Sequence, residues 1–386
     1  MVGTRGVPAR YGGFETAVEE IGRRLVDRGH DVVVYCRGAE DRTITEHLGM
    51  ELVHLPAAHR KCLETLSHTA LSVSHLVTQR RKVDAAIVFN AANAPFVPVL
   101  RGRGVPVAVH VDGLEWKRSK WQGAGRRYYR GVEELAVRWA DALIADAQGI
   151  ADYYATEFGA PTELITYGAP IQEDPGASRI VELDLHPGAY HLVVARFEPE
   201  NHVREIVQGY IRSAARHPLV VVGSAPYSNA YIQEVEALAA GDPRVRLLGG
   251  VWDQAQLDEL YANALTYVHG HSVGGTNPSL LRAMGAGTAV LAHDVVFNRE
   301  VLGDHGWFFD GPALLTPLLE AAEESVELVA KNGWFLRERA RHAYDWDDVT
   351  SAYEDLLHRL REGYSIRGTA TGRRRPARAG DPAVVT

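Results

Sequence analysis

Cysteine is scarce in this chain. Only Cys36 and Cys62 occur among 386 residues. Two thiols exclude a disulfide scaffold, and Cys36 ends the apolar run DVVVYC, where a thiol reads as core. A reducing cytoplasm is therefore the expected compartment. No apolar run approaches the length of a membrane-spanning helix, and the first residues lack a signal-peptide pattern. No GxGxxG follows a strand, and no acidic residue closes the second strand, so a dinucleotide fingerprint fits poorly. No Asp-x-Asp stands at a strand end to hold a metal ion. Asp347–Asp348 opens the last helical stretch, where an acidic pair reads as a cap. Positive charge is also in deficit, with a formal net charge of −8. No recognised nucleic-acid module accompanies the basic residues that are present.

What is present is an alternation of apolar strands and helical stretches. The runs DVVVYC, ELVHL, AAIVFN, VPVAVHV and ALIADA are followed, after a Pro- and Gly-rich stretch (GAPIQEDPGA), by YHLVVAR, LVVVGS, VRLLG, ALTYVH and TAVLAH. Strand–helix alternation predicts parallel sheets covered on both faces. The restart predicts two domains, 1–169 and 170–345. A helix over 346–364 follows, and an Arg-, Pro- and Gly-rich tail over 365–386 reads as disordered. A chain of this length is long for one core, and 46% hydrophobic with 23% charged residues is a globular composition. Only Met1 and Val2 precede the first glycine loop, too few for a parallel strand. That strand is expected to begin upstream of Met1, leaving this chain short of a central strand.

Two glycine-rich loops open helices, one in each half. In the first, Gly3, Gly6, Gly12 and Gly13 precede a helix with Val18, Ile21 and Leu25 at helical spacing and Glu15 in its first turn. In the second, the strand ALTYVH breaks into HSVGGTNPS and re-forms as a helix. A helix start beside glycines gathers free backbone N–H groups and the positive helix end, which suits an anion such as a nucleoside diphosphate. Thr276, Asn277 and Ser279 could bind sugar or simply cap the helix. Arg196 follows a strand end, where ligands bind in open α/β sheets; phosphate and an ion pair with Glu198 or Glu200 are its two readings.

The segments GTRGVPARYGGFET and HGHSVGGTNPSLLRAMGAG resemble the retaining, GT-B-fold glycosyltransferases of family 4. They resemble most the bacterial subgroup that includes rhamnosyltransferases of capsule and cell-wall polysaccharide assembly. HVDGLEWKRSKW, ARFEPENH, VRLLGGVWDQAQLDELYANA and YDWDDVTSAYEDLL extend the resemblance from Met1 to about Leu360. It implies an α/β GT-B fold: two Rossmann-like parallel-sheet domains facing across a cleft, with the last helix crossing back to the first. The first domain would face the acceptor and the second would bind the nucleotide sugar, with domain closure around the donor.

The resemblance also implies site residues. Arg196 corresponds to the family's diphosphate arginine. Asn201 stands where a lysine is usual, and Gly274 and Arg282 stand where the family carries two glutamates. Arg282 could then supply charge near the diphosphate. Gly12, Gly13, Ser224, Gly275, Thr276, Asn277, Ser279 and Glu300 complete the expected donor site. Glu300 is equally readable as a partner of Arg299 or as a helix cap. His110 and Asp112, at the end of VPVAVHV, are the expected catalytic pair, although a strand-end histidine alone is more often structural. Arg10, Tyr11, Glu115 and Trp116 are expected at the acceptor, Trp116 by stacking on a sugar.

The implied reaction moves a sugar, L-rhamnose from dTDP-L-rhamnose by subgroup, to a saccharide with retention and without a metal or other cofactor. Eight Lys or Arg residues lie between Arg101 and Arg130, interleaved with Trp121, Tyr128 and Tyr129. This stretch reads either as a solvated helix face or as a contact with an anionic membrane surface, which would suit a lipid-linked acceptor on the inner face of the plasma membrane. The missing glutamates leave open an inactive homologue, and the fold alone leaves open another nucleotide-sugar enzyme.

Overall fold

Each parallel strand forms where an apolar run is bounded by polar or glycine-rich breaks. The computed structural model describes residues 1–9, 12–38, 43–58, 63–111, 113–118, 121, 123–223 and 229–374. The chain divides into two units. The first comprises Met1–Tyr167 with Trp346–Thr386, and the second Gly168–Asp345.

In the first unit, β1 (Val33–Arg37), β2 (Glu46–His47) and β3 (Met50–Leu55) form a small sheet in the order β1-β3-β2. A second sheet has the order β4-β5-β6-β7, from β4 (Ala86–Phe89), β5 (Val107–Val111), β6 (Ala142–Ala145) and β7 (Glu163–Leu164). It is parallel throughout. The start of the chain lies between the two sheets. Val2 donates its N–H to Ile87 and accepts from Phe89, while Tyr35 donates to the Met1 carbonyl. The Met1 ammonium donates to Val33 at 2.7 Å. Burial holds that ammonium at about 5, against an ordinary value of 8.0.

The helix Gly13–Asp27 buries Ala17, Val18, Ile21 and Leu25 along one face. Full burial of each large aliphatic among these is worth about 1.5–3 kcal/mol. The helix Trp346–Arg361 packs on it within the same unit. Arg24 pairs with Asp347 and Arg28 with Glu354, both at 2.8 Å.

The expectation of a disordered tail fails for residues 365–374. The Ile366 N–H donates to the Asp141 carbonyl, and the Arg367 guanidinium pairs with the Asp141 carboxylate at 2.9 Å. Arg374 pairs with Glu133, and it donates to the Tyr153 hydroxyl at 2.7 Å. Composition alone marks the tail as disordered, but the buried carboxylates of Asp141 and Glu133 give Arg367 and Arg374 partners. Residues 375–386 lie outside the described ones.

The second unit holds one six-stranded parallel sheet. Its strands are β8 (His191–Val194), β9 (Leu219–Val222), β10 (Val245–Gly249), β11 (Thr266–His269), β12 (Ala289–His293) and β13 (Trp307–Phe309). Their order is β10-β9-β8-β11-β12-β13. Val193, Val221, Val268 and Leu291 meet Val207, Leu315 and Leu319 in a dry core. The chain winds outward from β8 in one direction through β9 and β10. It then returns beside β8 as β11 and winds the other way. The point of reversal lies between β8 and β11, and such a switch point opens a crevice at the strands' carboxyl ends.

Candidate functional site

In the second unit, the switch point gathers loops from the ends of β8, β11 and β12. Arg196 follows β8. Its side chain is 38% exposed, and among the described residues it faces the Glu198 carboxylate at 3.8 Å, too long for a direct hydrogen bond. Asn201 is buried, and its amide donates to the Arg196 carbonyl at 2.8 Å. It therefore shapes the turn that carries Arg196. Ser224 lies outside the described residues.

The loop after β11 is tied to its neighbours. Ser272 donates its N–H and hydroxyl to the Glu200 carbonyl, at 3.0 and 3.1 Å. His202 Nδ1 meets the Gly270 carbonyl at 2.8 Å. Asn298, from the helix Val296–Leu302 after β12, donates to the carbonyls of His271 and His293 at 3.0 and 2.8 Å. Buried backbone groups are thus paired across three loops, which fixes the loops to one another.

Gly274 has φ +140°, and a side chain there would meet open space. Its backbone conformation, rather than crowding, therefore favours glycine. Gly275 adjoins it, and Thr276 is buried. Asn277 caps the helix Pro278–Gly285 by accepting from the Ser279 N–H at 3.0 Å. The Ser279 hydroxyl donates to Asn277 at 2.7 Å and accepts from Tyr267 at 3.0 Å. Both polar side chains thus hold the helix start in place. Arg282, one turn further on, pairs with Asp258 at 3.2 Å. Glu300 is half-buried in the helix after β12, and Arg299 pairs with Asp294 rather than with it.

Sequence reading missed a group of histidines at this edge. His269 and His293 end adjacent strands, and His202 stacks on His293 with ring centroids 4.2 Å apart. His269 stacks on His271 at 4.5 Å. Burial pushes His269 down to about 3, and burial with the neighbouring His202 lowers His293. These two rings are neutral near pH 7, so they offer hydrogen bonds rather than charge. A strand-final histidine on two adjacent strands was the signal available in the sequence.

In the first unit, the glycine loop leaves the sheet between β1 and β4 and enters the helix Gly13–Asp27. Gly12, at φ +106°, is the residue before that helix, and a side chain there would strike the Glu15 carboxylate. Glu15 itself accepts from the Arg5 N–H at 2.9 Å. Burial raises its pKa, against the hydrogen bonds and nearby arginines. The helix start thus already carries a buried carboxyl group, which the sequence showed only as an acidic residue in the first turn. Gly13 is the first helical residue. Beside the loop, Arg5, Arg37, Gly38, Ala57 and Glu64 line a pocket of about 290 Å³ at the end of β1.

His110 ends β5 and is fully buried. Its ring lies between Phe89 and Tyr167, with centroids at 5.5 and 5.9 Å, and Phe14 meets it edge-on at 5.1 Å. Burial pushes its pKa down to about 3, and neither ring nitrogen has a hydrogen-bond partner among the described residues. Asp112, Arg10 and Tyr11 lie outside those residues. Glu115 is buried against Arg118, and it accepts from the Trp121 indole at 3.1 Å. Trp116 is covered by Arg126 and Arg130, at 5.3 and 5.2 Å from its ring centre. Guanidinium groups thus occupy the ring face expected to stack on sugar.

Residues 189–326 match the family "Glycosyl transferases group 1", and residues 1–170 match "Domain of unknown function (DUF1972)". The chain is 24% identical, over 94% of its length and 93% of the relative's, to a phosphatidyl-myo-inositol mannosyltransferase of Mycolicibacterium smegmatis. It is 29% identical over 125 residues to O-antigen chain mannosyltransferase B of Escherichia coli, covering 31% of this chain and 32% of that one. Among solved structures, a sucrose-phosphate synthase of Thermosynechococcus elongatus superposes with a TM-score of 0.79 at 18% identity, covering 90% of this chain and 94% of that one. Anabaena HepE in complex with UDP superposes with a TM-score of 0.71 at 16% identity, covering 92% and 98%. The fold is that of the GT-B enzymes, and the chain is a glycosyltransferase whose second unit carries the group 1 domain.

Proposed function

We propose that the protein transfers a hexosyl group from a nucleoside diphosphate sugar to a saccharide acceptor, with retention and without a metal ion. The observation that carries this reading is the pairing at the second unit's switch point. A half-exposed arginine follows β8, and a glycine loop opening a helix N-terminus follows β11. A departing diphosphate needs positive groups fixed in advance, and a guanidinium beside a helix start supplies them. In a retaining transfer the leaving phosphate oxygen takes the acceptor proton on the same face, so no strong protein base is required. Positioning and diphosphate stabilisation carry the rate.

The loop GTRGVPARYGGFET supports L-rhamnose from dTDP-L-rhamnose as the donor. The two mannosyltransferase relatives favour a second reading, in which the sugar is mannose. For the acceptor, the cationic cluster of Arg126, Arg130 and Lys117 around Trp116 supports a lipid-linked saccharide at an anionic membrane surface. No helix among the described residues is long and apolar enough to cross a membrane. Contact would therefore be through the surface.

The test is thermal stabilisation and sugar transfer with dTDP-, UDP- and GDP-sugars, with and without chelator. One nucleotide sugar should raise the melting temperature and be consumed, and chelator should alter neither the size of that rise nor the consumption. Stabilisation by none, together with no transfer or hydrolysis, overturns the reading in favour of an inactive homologue. Loss of transfer with chelator overturns the metal-free chemistry alone.

A further inference from the structure

Away from both loops, the first unit carries a cluster that the transfer reaction does not use. Glu354 and His358 are four residues apart on the helix Trp346–Arg361, so they share one face. His30 lies in the turn after the helix Gly13–Asp27. Its Nε2 is 2.6 Å from a Glu354 oxygen. The His30 and His358 rings are 5.7 Å apart and tilted by 58°. One ligand atom from each of the three residues lies within 4.8 Å of the other two. Arg28 holds the other Glu354 oxygen at 2.8 Å and the Ser351 hydroxyl at 3.1 Å. His30 and Glu354 are half-buried and His358 is exposed.

We propose that His30, Glu354 and His358 bind a Zn²⁺ ion that clips the C-terminal helix to the turn after the first helix. Two imidazoles and one carboxylate are a ligand set zinc favours, whereas Mg²⁺ and Ca²⁺ favour oxygen ligands alone. Zinc–ligand bonds of about 2.0–2.2 Å place tetrahedral ligands roughly 3.3 Å apart. The His30–Glu354 pair opens slightly as the ion replaces the proton between them. His358, exposed on its helix, swings in from the surface. Water takes the fourth position. Arg28 keeps the second carboxylate oxygen, leaving Glu354 a single-oxygen ligand of fixed orientation. The clip joins residues 324 apart in the chain. A cross-link closing so long a loop removes much freedom from the unfolded chain.

The test uses tag-free, chelator-stripped full-length protein titrated with Zn²⁺ by calorimetry, with melting temperatures at ~100 μM Zn²⁺, where a ligand of the folded state stabilises it by mass action. One site per chain and a rise of several degrees are expected, and Co²⁺ in its place should give a four-coordinate visible spectrum. His358→Ala removes an exposed ligand without touching the core. It should weaken binding at least tenfold and abolish the rise. His342→Ala, an exposed histidine of the second unit, should change neither. Absence of binding by the wild type, or equal binding by His358→Ala, overturns the proposal.

Discussion

Arg196 and Arg282 are both arginines of the second unit, yet their surroundings divide them. Among the described residues, Arg196 has a loose carboxylate neighbour at 3.8 Å, whereas Asp258 holds Arg282 at 3.2 Å. A charge-assisted hydrogen bond is worth about 1.5–3 kcal/mol. Arg196→Ala should therefore weaken nucleotide-sugar binding by roughly 10- to 100-fold. If Arg282 supplies charge to the diphosphate, Arg282→Glu should weaken donor binding as well. Unchanged affinity for that variant, read by calorimetry, would leave Arg282 as a tie between two helices.

His110 makes a separate prediction. Its pKa is about 3 in the folded chain against an ordinary 6.5. Between these values the unfolded chain binds a proton that the folded chain does not. Stability is thus lost as pH falls through that window, by about 1.4 kcal/mol per pH unit for one group. His110→Phe fills the same aromatic box and should flatten the first unit's stability profile by that slope, as read by denaturant unfolding from pH 7 to 4. If the variant also keeps full transfer activity, His110 belongs to the core rather than to catalysis.

At the scale of elements, the loops at the ends of β8, β11 and β12 behave as one tied assembly. Asn298 is the tie whose removal is cleanest, since it donates to two carbonyls of different loops. Asn298→Ala removes a buried donor from both carbonyls, although His293 keeps the Val295 N–H, at a cost of about 1–3 kcal/mol. The second unit's melting temperature should fall, and the KM for the donor should rise because the Gly274 loop loses its anchor. A drop in melting temperature with an unchanged KM would show that the loop is held without this tie. The aromatic–cationic packing on Trp116 is an element-scale effect too. The helix Ala124–Trp139 brings Arg126 and Arg130 over one ring, one turn apart.

For the whole molecule, segments far apart in the chain complete the first unit. Met1 and Val2 bridge its sheets, and the residues after the last helix return to its surface. Arg374 meets Glu133, Glu157 and the Tyr153 hydroxyl there. Burial raises the Glu133 pKa even with that arginine beside it. Removing the cation strands a buried carboxylate, which costs about 3–5 kcal/mol when a buried pair is broken. Arg374→Ala should therefore lower the first unit's melting temperature and leave the second unit's unchanged. Two resolved calorimetric transitions would show this, and an unmoved first transition would mean that Glu133 takes up a proton and remains in place.

The sequence by itself determined the strands with strong apolar runs, the restart near residue 170, the glycine loops and the strand-end position of Arg196. Those properties are local: periodicity, turn chemistry and chain order act over a few residues. The short strands β2, β7 and β13 escaped because two or three residues carry no period, and pairing with a neighbour alone makes them strands. Only the tertiary structure decided what each polar side chain meets. It turned Asn201, Asn277 and Ser279 inward as supports, gave Arg282 to Asp258, enclosed His110 in aromatic rings and covered Trp116 with guanidinium groups. It also set four histidines at one sheet edge and brought His30 to Glu354 across 324 residues. Such partners lie far apart in the chain, and only the packing of whole elements places them within reach.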